Sequence, residues 1–484
     1  MPPFANATIQ TRGRGDTRCT LRPRLHLLLL LVAVAAALSV PTTVLAAACP
    51  AAPEGRCFSL TVPLDRSGAV PGTVRIRAAK IASRRPRRPP VIGLTGGPGQ
   101  SGVSYAGTYD FIVPMANRDL VMLDQRGTGA SGLLRCPSLQ GRIPRFRRGA
   151  AAAACAHHLG ARRSFYTSAD SAEDIEALRV RLGVPQIAFF AISYGTRVAM
   201  EYARRYPQHV ERMILDSPVA PDAPDALGSE TLGAVRRVLH TLCRSGCHGA
   251  EAHPVSDLRR LVARLRRAPI RHVLRRGRYV TVGVDDLVRL LRAGDREPEL
   301  MRRFIGVVRV ALGGNSLPLV RLKLTVANDN RDSLADFNPV VSSVTTCEES
   351  TLAWDPAESP AVRRAQAHAA LDATPAAVLD PFDRPAALNL GLLRLCGQWP
   401  ARERVLAPPP PLPTTVPTLI LSGELDLRTP LENARRVAAA LHGRVVVEPG
   451  AGHFALYYGY SGCTHPAVKA FLALRPLPAC RRAL

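Results

Sequence analysis

Lysine is nearly missing from this chain. Only Lys80, Lys323 and Lys469 occur among 64 basic side chains, so the formal charge of +26 is an arginine charge. Aromatic residues make up 5% of the sequence, and no nucleic-acid motif, no G-K-[ST] and no helix-opening G-x-G-x-x-G is present, which removes the usual signatures of nucleic-acid and nucleotide binding. The arginine clusters at 84–88, 142–148 and 259–278 therefore read as solvated faces. A metal site is short of ligands as well: Cys243, Cys247 and His248 lie close together, but no second C-x-x-C or H-x-x-H pair completes a four-ligand set. No cofactor or metal is expected.

Near the start, Arg12, Arg14, Arg18, Arg22 and Arg24 precede an apolar run at 25–40 broken only by His26 and Ser39, and the small residues Ala46, Ala47 and Ala48 follow. A charged segment, an apolar segment and an A-x-A-like site in that order describe a secretory signal peptide over 1–48. The run is shorter than the roughly 20 residues of a membrane span, so no span is expected once the signal is removed. The chain is expected to be secreted or periplasmic. Lipid attachment at Cys49 is the lesser alternative, because Ala46 stands where lipoprotein signals carry leucine. Removing Cys19 leaves ten cysteines, an even number that suits five disulfides in an exported protein. Short loops close at little entropic cost, which favours pairing sequence neighbours: Cys49 with Cys57, Cys136 with Cys155, Cys243 with Cys247, Cys347 with Cys396, and Cys463 with Cys480.

At 484 residues the chain suits a large core with an insertion. Residues 57–64 and 73–81 alternate like antiparallel strands, whereas 91–94, 120–123, 187–192 and 212–215 are short apolar runs of the kind buried in parallel sheets. Strand and helix alternate from 91 to 218, which indicates a parallel sheet covered by helices on both faces. Arginine-rich amphipathic helices then replace this pattern. The expected organisation is a first part of the core at 49–218, a helical cap at 219–406, and the rest of the core at 407–484, reached through the stiff proline run at 408–417.

The chain is organised around Ser193. An apolar strand runs into Ser193-Tyr194-Gly195, and Ala199, Tyr202, Ala203 and Tyr206 then repeat at helical spacing, so the serine occupies a sharp strand-to-helix corner. Asp426 and His453 also directly follow apolar strands, and in a parallel sheet such positions share one edge. A serine, a carboxylate and a histidine on one edge supply the nucleophile, orienter and base of acyl transfer. A glycine loop after the 91–94 strand, Gly96-Gly97-Pro98-Gly99, exposes backbone N–H groups on that edge.

These motifs, together with Asp124-Gln125-Arg126-Gly127-Thr128-Gly129, Gly423-Glu424-Leu425-Asp426, Thr429-Pro430, Gly452-His453 and the tail from Cys463 to Cys480, resemble in order and separation the α/β-hydrolase fold. More narrowly, they are similar to the prolyl and tripeptidyl aminopeptidase family of secreted bacterial exopeptidases. Thr95 departs from prolyl aminopeptidases, which carry histidine there, and Ala191 departs from the elbow glycine. The resemblance implies an α/β fold with an inserted helical cap, and a triad of Ser193, Asp426 and His453. It further implies an oxyanion hole from the N–H groups of Gly97 and Tyr194, bracing of the glycine loop by Asp124 and Arg126, and a cap acid that holds a peptide's α-amino group, for which Glu348 and Glu349 are the candidates. The expected substrates are peptides or small esters. A carboxylesterase with the same triad, and a catalytically silent envelope-binding protein, remain the alternatives.

Overall fold

The computed structural model describes residues 47–480 apart from 50–51, 142, 222–224, 244–252, 275–278, 329–332, 334–335, 405–408 and 460–461. Residues 1–46 of the expected signal peptide over 1–48, and Cys247, thus lie outside the described residues. A nine-stranded sheet forms the core in the order β1-β2-β3-β5-β4-β6-β7-β10-β11. Its strands are β1 (Ala47–Cys49), β2 (Ala52–Pro63), β3 (Thr73–Ile81), β4 (Val91–Leu94), β5 (Leu120–Leu123), β6 (Ile187–Ile192), β7 (Val210–Asp216), β10 (Thr418–Gly423) and β11 (Arg444–Glu448). Strands β1, β2 and β3 pair antiparallel, β3 meets β5 antiparallel, and every pairing from β5 to β11 is parallel.

The central strands β4, β5, β6 and β10 are buried at every position, because helices cover both faces and leave no side for a polar residue. Strand order turns back at β4, which has β5 on one side and β6 on the other. The loops after β4 and β6 therefore flank the crevice where open α/β sheets bind ligands.

Helices α1 (Ala106–Ile112), α2 (Arg148–Leu159), α3 (Ser168–Leu182) and α4 (Tyr194–Arg205) belong to the first part of the core. Helix α3 starts at a capping box, with Thr167 accepting from the Asp170 N–H and the Asp170 carboxylate accepting from the Thr167 N–H, and stops at left-handed Gly183.

Between β7 and β10 the chain forms α5 (Ser229–Cys243), α6 (Pro254–Arg267), the hairpin β8 (Ile270–Val273) and β9 (Tyr279–Val282), α7 (Val284–Gly294), α8 (Pro298–Leu312) and α9 (Leu317–Asn328). Then come α10 (Pro339–Glu349), α11 (Pro360–Asp372), α12 (Ala376–Leu379), α13 (Arg384–Leu390) and α14 (Leu393–Cys396), with α15 (Leu431–Leu441) and α16 (Thr464–Leu472) beyond β10. The inserted segment differs from a uniform cap. Leu232, Leu258, Leu287 and Phe304 pack into an apolar core of their own, whereas Val340, Val344, Cys347 and Trp399 pack with the sheet's core. The hairpin β8–β9 is an addition that arginine-rich helical periodicity gave no sign of.

Four of the expected disulfides form: Cys49–Cys57, Cys136–Cys155, Cys347–Cys396 and Cys463–Cys480. No helix among the described residues is long and apolar enough to cross a membrane. The Cys347–Cys396 bond closes a loop of 49 residues and ties α10 to α14. Loop-closure entropy assigns about 4 kcal/mol to a closure of that length, so replacing both cysteines by serine should lower the melting temperature by several degrees in a thermal scan.

Candidate active site

Ser193 stands between β6 and α4 with φ 53° and ψ −123°, a conformation that residues other than glycine seldom adopt. Its N–H donates to the carbonyl of Asp216 (2.9 Å), which fixes the corner to the end of the neighbouring strand. The corner is crowded: a Cβ on Gly195 would sit 2.7 Å from the carbonyl oxygens of Leu94 and Thr95, so only glycine fits two residues after the serine. On the other side, Ala191 is fully buried in β6, and its extra methyl is accommodated.

The glycine loop passes directly over the serine, since a Cβ on Gly96 would lie 2.8 Å from the Ser193 Cβ and 3.2 Å from its Oγ. Gly97 is exposed with φ 113°, and Tyr194 opens α4, so its N–H is one of the orphan donors of a helix N-terminus. The loop is held from inside. Gly96 N–H donates to Gln100 Oε1 (3.1 Å), Gln125 Nε2 to the Thr95 carbonyl (3.3 Å), and Asp124 Oδ1 accepts from Ser101 Oγ (2.6 Å) and Val103 N–H (2.9 Å). Asp124 thus braces the loop, but Arg126 does not. Its guanidinium binds both Asp174 oxygens (2.7 Å each) and the carbonyls of Leu64 and Phe165, and Gln125 takes the bracing role assigned to it.

Asp426 and His453 come together at the ends of β10 and β11. The carboxylate is wholly buried; Oδ1 accepts from the N–H groups of Arg428 (2.8 Å) and Thr429 (3.0 Å), and Oδ2 lies 2.9 Å from both Thr429 Oγ1 and His453 Nδ1. Burial alone would push its pKa up. The charge and hydrogen bond of His453 and the Thr429 donors outweigh burial and hold it below the usual carboxylate value. With Nδ1 turned to Asp426, Nε2 is the ring nitrogen left for proton transfer. From the inserted segment, the Asp295 carbonyl accepts the His453 N–H at 2.6 Å.

Asp216 is a functional residue that strand patterning hides, because it ends the apolar run of β7 as one more buried position. Its oxygens accept from the N–H groups of Ala455 (2.8 Å) and Leu456 (2.9 Å), while the adjacent Ser217 Oγ accepts from Phe454 N–H (2.9 Å). One strand end therefore clamps both the Ser193 corner and the His453 loop. Burial raises the Asp216 carboxyl to about 6 against those donors and the nearby His453. Since the folded value lies above the unfolded one, the ionised carboxylate subtracts stability at neutral pH, and that stability returns as pH falls from about 6 towards 3.8. Asp216→Asn keeps the size but turns one acceptor into a donor facing an N–H. Roughly a tenfold or larger fall in kcat is expected on esters and peptides alike, with little change in KM, in steady-state assays.

The structure gives Glu348 and Glu349 other partners than a substrate amine. Glu348 is 2% exposed, and its Oε1 takes Arg163 Nε and Trp399 Nε1, both at 2.8 Å. Glu349 accepts from Ser168 N–H (2.6 Å) and Oγ (2.7 Å), pairs with Arg197 (3.2 Å) and bonds the Tyr194 hydroxyl. Both carboxylates anchor α10 to the core. A cavity of about 580 Å³ between Asp65, Phe165, Asp170, Glu173 and Arg404 includes none of Ser193, Asp426 and His453.

Residues 89–241 match the family described as alpha/beta hydrolase fold, and 384–482 match TAP-like protein. A putative hydrolase, YuaR, of Escherichia coli K12 is 26% identical over 448 residues, covering 87% of this chain and 86% of that protein. A tripeptidyl aminopeptidase of Streptomyces lividans is 28% identical over 191 residues, 34% of this chain and 36% of the relative. The serine protease Hip1 of Mycobacterium tuberculosis H37Rv is 27% identical over a stretch of the same length, 34% of this chain and 36% of its own. The matches to these two peptidases thus span only about a third of either partner. Among solved structures, a proline iminopeptidase of Mycobacterium smegmatis is similar at 16% identity and a TM-score of 0.41, over 86% of this chain and 98% of that one.

Proposed function

Because the chain is a serine hydrolase of the α/β-hydrolase family, we propose that it is an exported aminopeptidase that releases one to three residues from peptide N-termini through an acyl-enzyme on Ser193. The observation that carries this reading is the 2.9 Å contact between Asp426 Oδ2 and His453 Nδ1, in a loop clamped by the same strand end that holds Ser193. His453 Nε2 takes the Ser193 proton as Oγ attacks the carbonyl carbon, and Asp426 stabilises the imidazolium that forms. The N–H groups of Gly97 and Tyr194 receive the oxyanion, with the positive end of α4 behind them. Collapse breaks the C–N bond, His453 returns its proton to the departing amine, and a water activated by the same nitrogen then hydrolyses the acyl-serine.

The inserted segment 219–406 supports an exopeptidase, since a cap over the triad admits a chain by its end. The relatives named as tripeptidyl aminopeptidase and serine protease agree with peptide substrates. Export fits the four disulfides among the described residues. One observation favours a carboxylesterase instead: Glu348 and Glu349 are committed to the core, which leaves a substrate's amino group without an assigned partner.

Matched peptide arylamides with free and acetylated N-termini separate the two. A charge-assisted contact with the amine is worth roughly tenfold to a hundredfold in kcat/KM, so the free-amine substrate should be cleaved faster by that factor. Equal rates, with fast turnover of simple esters, would favour the esterase.

A further inference from the structure

Among the described residues, five arginines carry a buried Nε with no hydrogen-bond partner: Arg197, Arg204, Arg212, Arg292 and Arg363. Four are engaged nonetheless, Arg197 with the Glu349 carboxylate and Arg204, Arg212 and Arg363 with the carbonyls of Pro221, Phe471 and Gly397. Arg292 is the one of the five whose side chain has neither a hydrogen bond nor an ion pair. A half-buried guanidinium without an anion is costly to keep.

Its place in the fold is specific. Arg292 lies in the last turn of α7, three residues before Asp295 and so on the same helix face. Asp295 touches the base directly, through its carbonyl's bond to the His453 N–H and through backbone that leaves no room for a Cβ on Gly452. Arg428, whose N–H holds Asp426, donates to the Arg292 carbonyl (2.8 Å) and to Asp295 Oδ1 (2.9 Å). The charges around the Arg292 guanidinium are Asp225, Asp295 and Asp426 on one side of the balance and Arg428 on the other. Asp426 has His453 and Thr429, Asp225 accepts from Ser229 Oγ (3.4 Å) and Thr231 N–H (3.1 Å), and Asp295 gives Oδ1 to Arg428 while its buried Oδ2 has no hydrogen-bond partner. None of them closes an ion pair with Arg292. Burial first, and then Arg428, pull its pKa down to about 10, still far above neutrality, so it stays a cation.

In acyl transfer the leaving group departs past the base that protonates it. The residue that caps α7 binds the main chain of that base, and Asp426 is among the charges around the Arg292 guanidinium, so Arg292 is set beside the acid–base pair. We propose that Arg292 is a carboxylate-binding subsite for the departing part of the substrate, filled by the C-terminal carboxylate of a short peptide or by an acidic side chain just beyond the cleaved bond. The planar guanidinium suits a carboxylate, which it can bind through two parallel N–H bonds. The inference rests on the Ser193 chemistry above and goes beyond it in naming the substrate class.

The test compares 4-acetoxybenzoate with 4-acetoxybenzamide, two acetyl esters of like shape whose leaving groups differ in charge, each rate being divided by that of the ester's uncatalysed alkaline hydrolysis to remove the difference in phenol acidity. Wild type should favour the carboxylate by roughly tenfold to a hundredfold in kcat/KM, mainly through KM and less at high salt. In Arg292→Gln the ratio should fall towards one, and Arg292→Lys should keep part of it. A wild-type ratio near one, or a ratio unchanged in Arg292→Gln, overturns the proposal even if some variant folds poorly, because each ratio is read within one enzyme. Peptides then identify the source: preference for a free C-terminus over its amide points to the terminal carboxylate, and preference for Asp over Asn beyond the cleaved bond points to a side chain. Ester turnover surviving in Ser193→Ala would discard the Ser193 chemistry and this subsite together, whereas a silent Ser193→Ala with a wild-type ratio near one discards the subsite alone.

Discussion

Ser193→Ala is expected to abolish turnover of every ester and peptide, a loss on the order of 10⁶-fold in kcat, because Oγ is the atom that attacks and then carries the acyl group. Folding should survive the change. Ser193 is half-buried and none of its hydrogen bonds to the core runs through Oγ; the corner is tied by its N–H to the Asp216 carbonyl and by its own carbonyl, which accepts from Thr196. The same corner gives a second, opposite expectation. A backbone at φ 53° and ψ −123° costs a non-glycine residue roughly 1–3 kcal/mol, so Ser193→Gly should be inactive yet raise the melting temperature. Activity retained in Ser193→Ala would remove the nucleophile from this account.

The second large effect belongs to the acid and base. His453→Ala should lose at least roughly 10³-fold in kcat, and Asp426→Asn about 10⁴-fold or less, since the carboxylate acts by fixing the ring rather than by touching substrate. Asp426 also carries a pH signature. Its folded pKa lies below 3.8, so its contribution to stability is complete above that value and disappears as pH falls through the lower one. Acid unfolding curves of Asp426→Asn should lack that component, while Asp216→Asn, whose parent carboxyl is raised, should change stability in the opposite sense. Steady-state kinetics and pH-dependent melting of the two variants check these signs.

How much of this was legible beforehand depended on distance along the chain. Short apolar runs announced the central strands because strands covered on both faces have no polar alternation to disguise them, and the strand-to-helix change of period at Ser193 announced the corner. Asp426 and His453 could be placed because a parallel sheet brings its C-terminal strand ends to one edge, whatever their separation in sequence. Side-chain partners across the fold were less accessible. Glu348 and Glu349 stand as candidates for a substrate's amino group until Arg163, Trp399, Ser168 and Arg197 arrive from other elements to occupy them. The resemblance makes Arg126 a brace for the glycine loop, yet its long side chain reaches Asp174 on α3, and the shorter Gln125 meets the loop. Asp216 gave no warning at all, because a buried acid at the end of an apolar strand has the same pattern as one more core position. The inserted segment obeyed helical periodicity but not domain boundaries: α10 packs Val340, Val344 and Cys347 into the sheet's core, and a disulfide joins Cys347 to Cys396, 49 positions further on.

The most direct test of the central claim is intact-protein mass spectrometry after treatment with a fluorophosphonate, followed by peptide mapping. One adduct per chain on Ser193, absent in Ser193→Ala and strongly slowed in His453→Ala, is the predicted result. No adduct on a folded protein, or an adduct on a different serine, would contradict it.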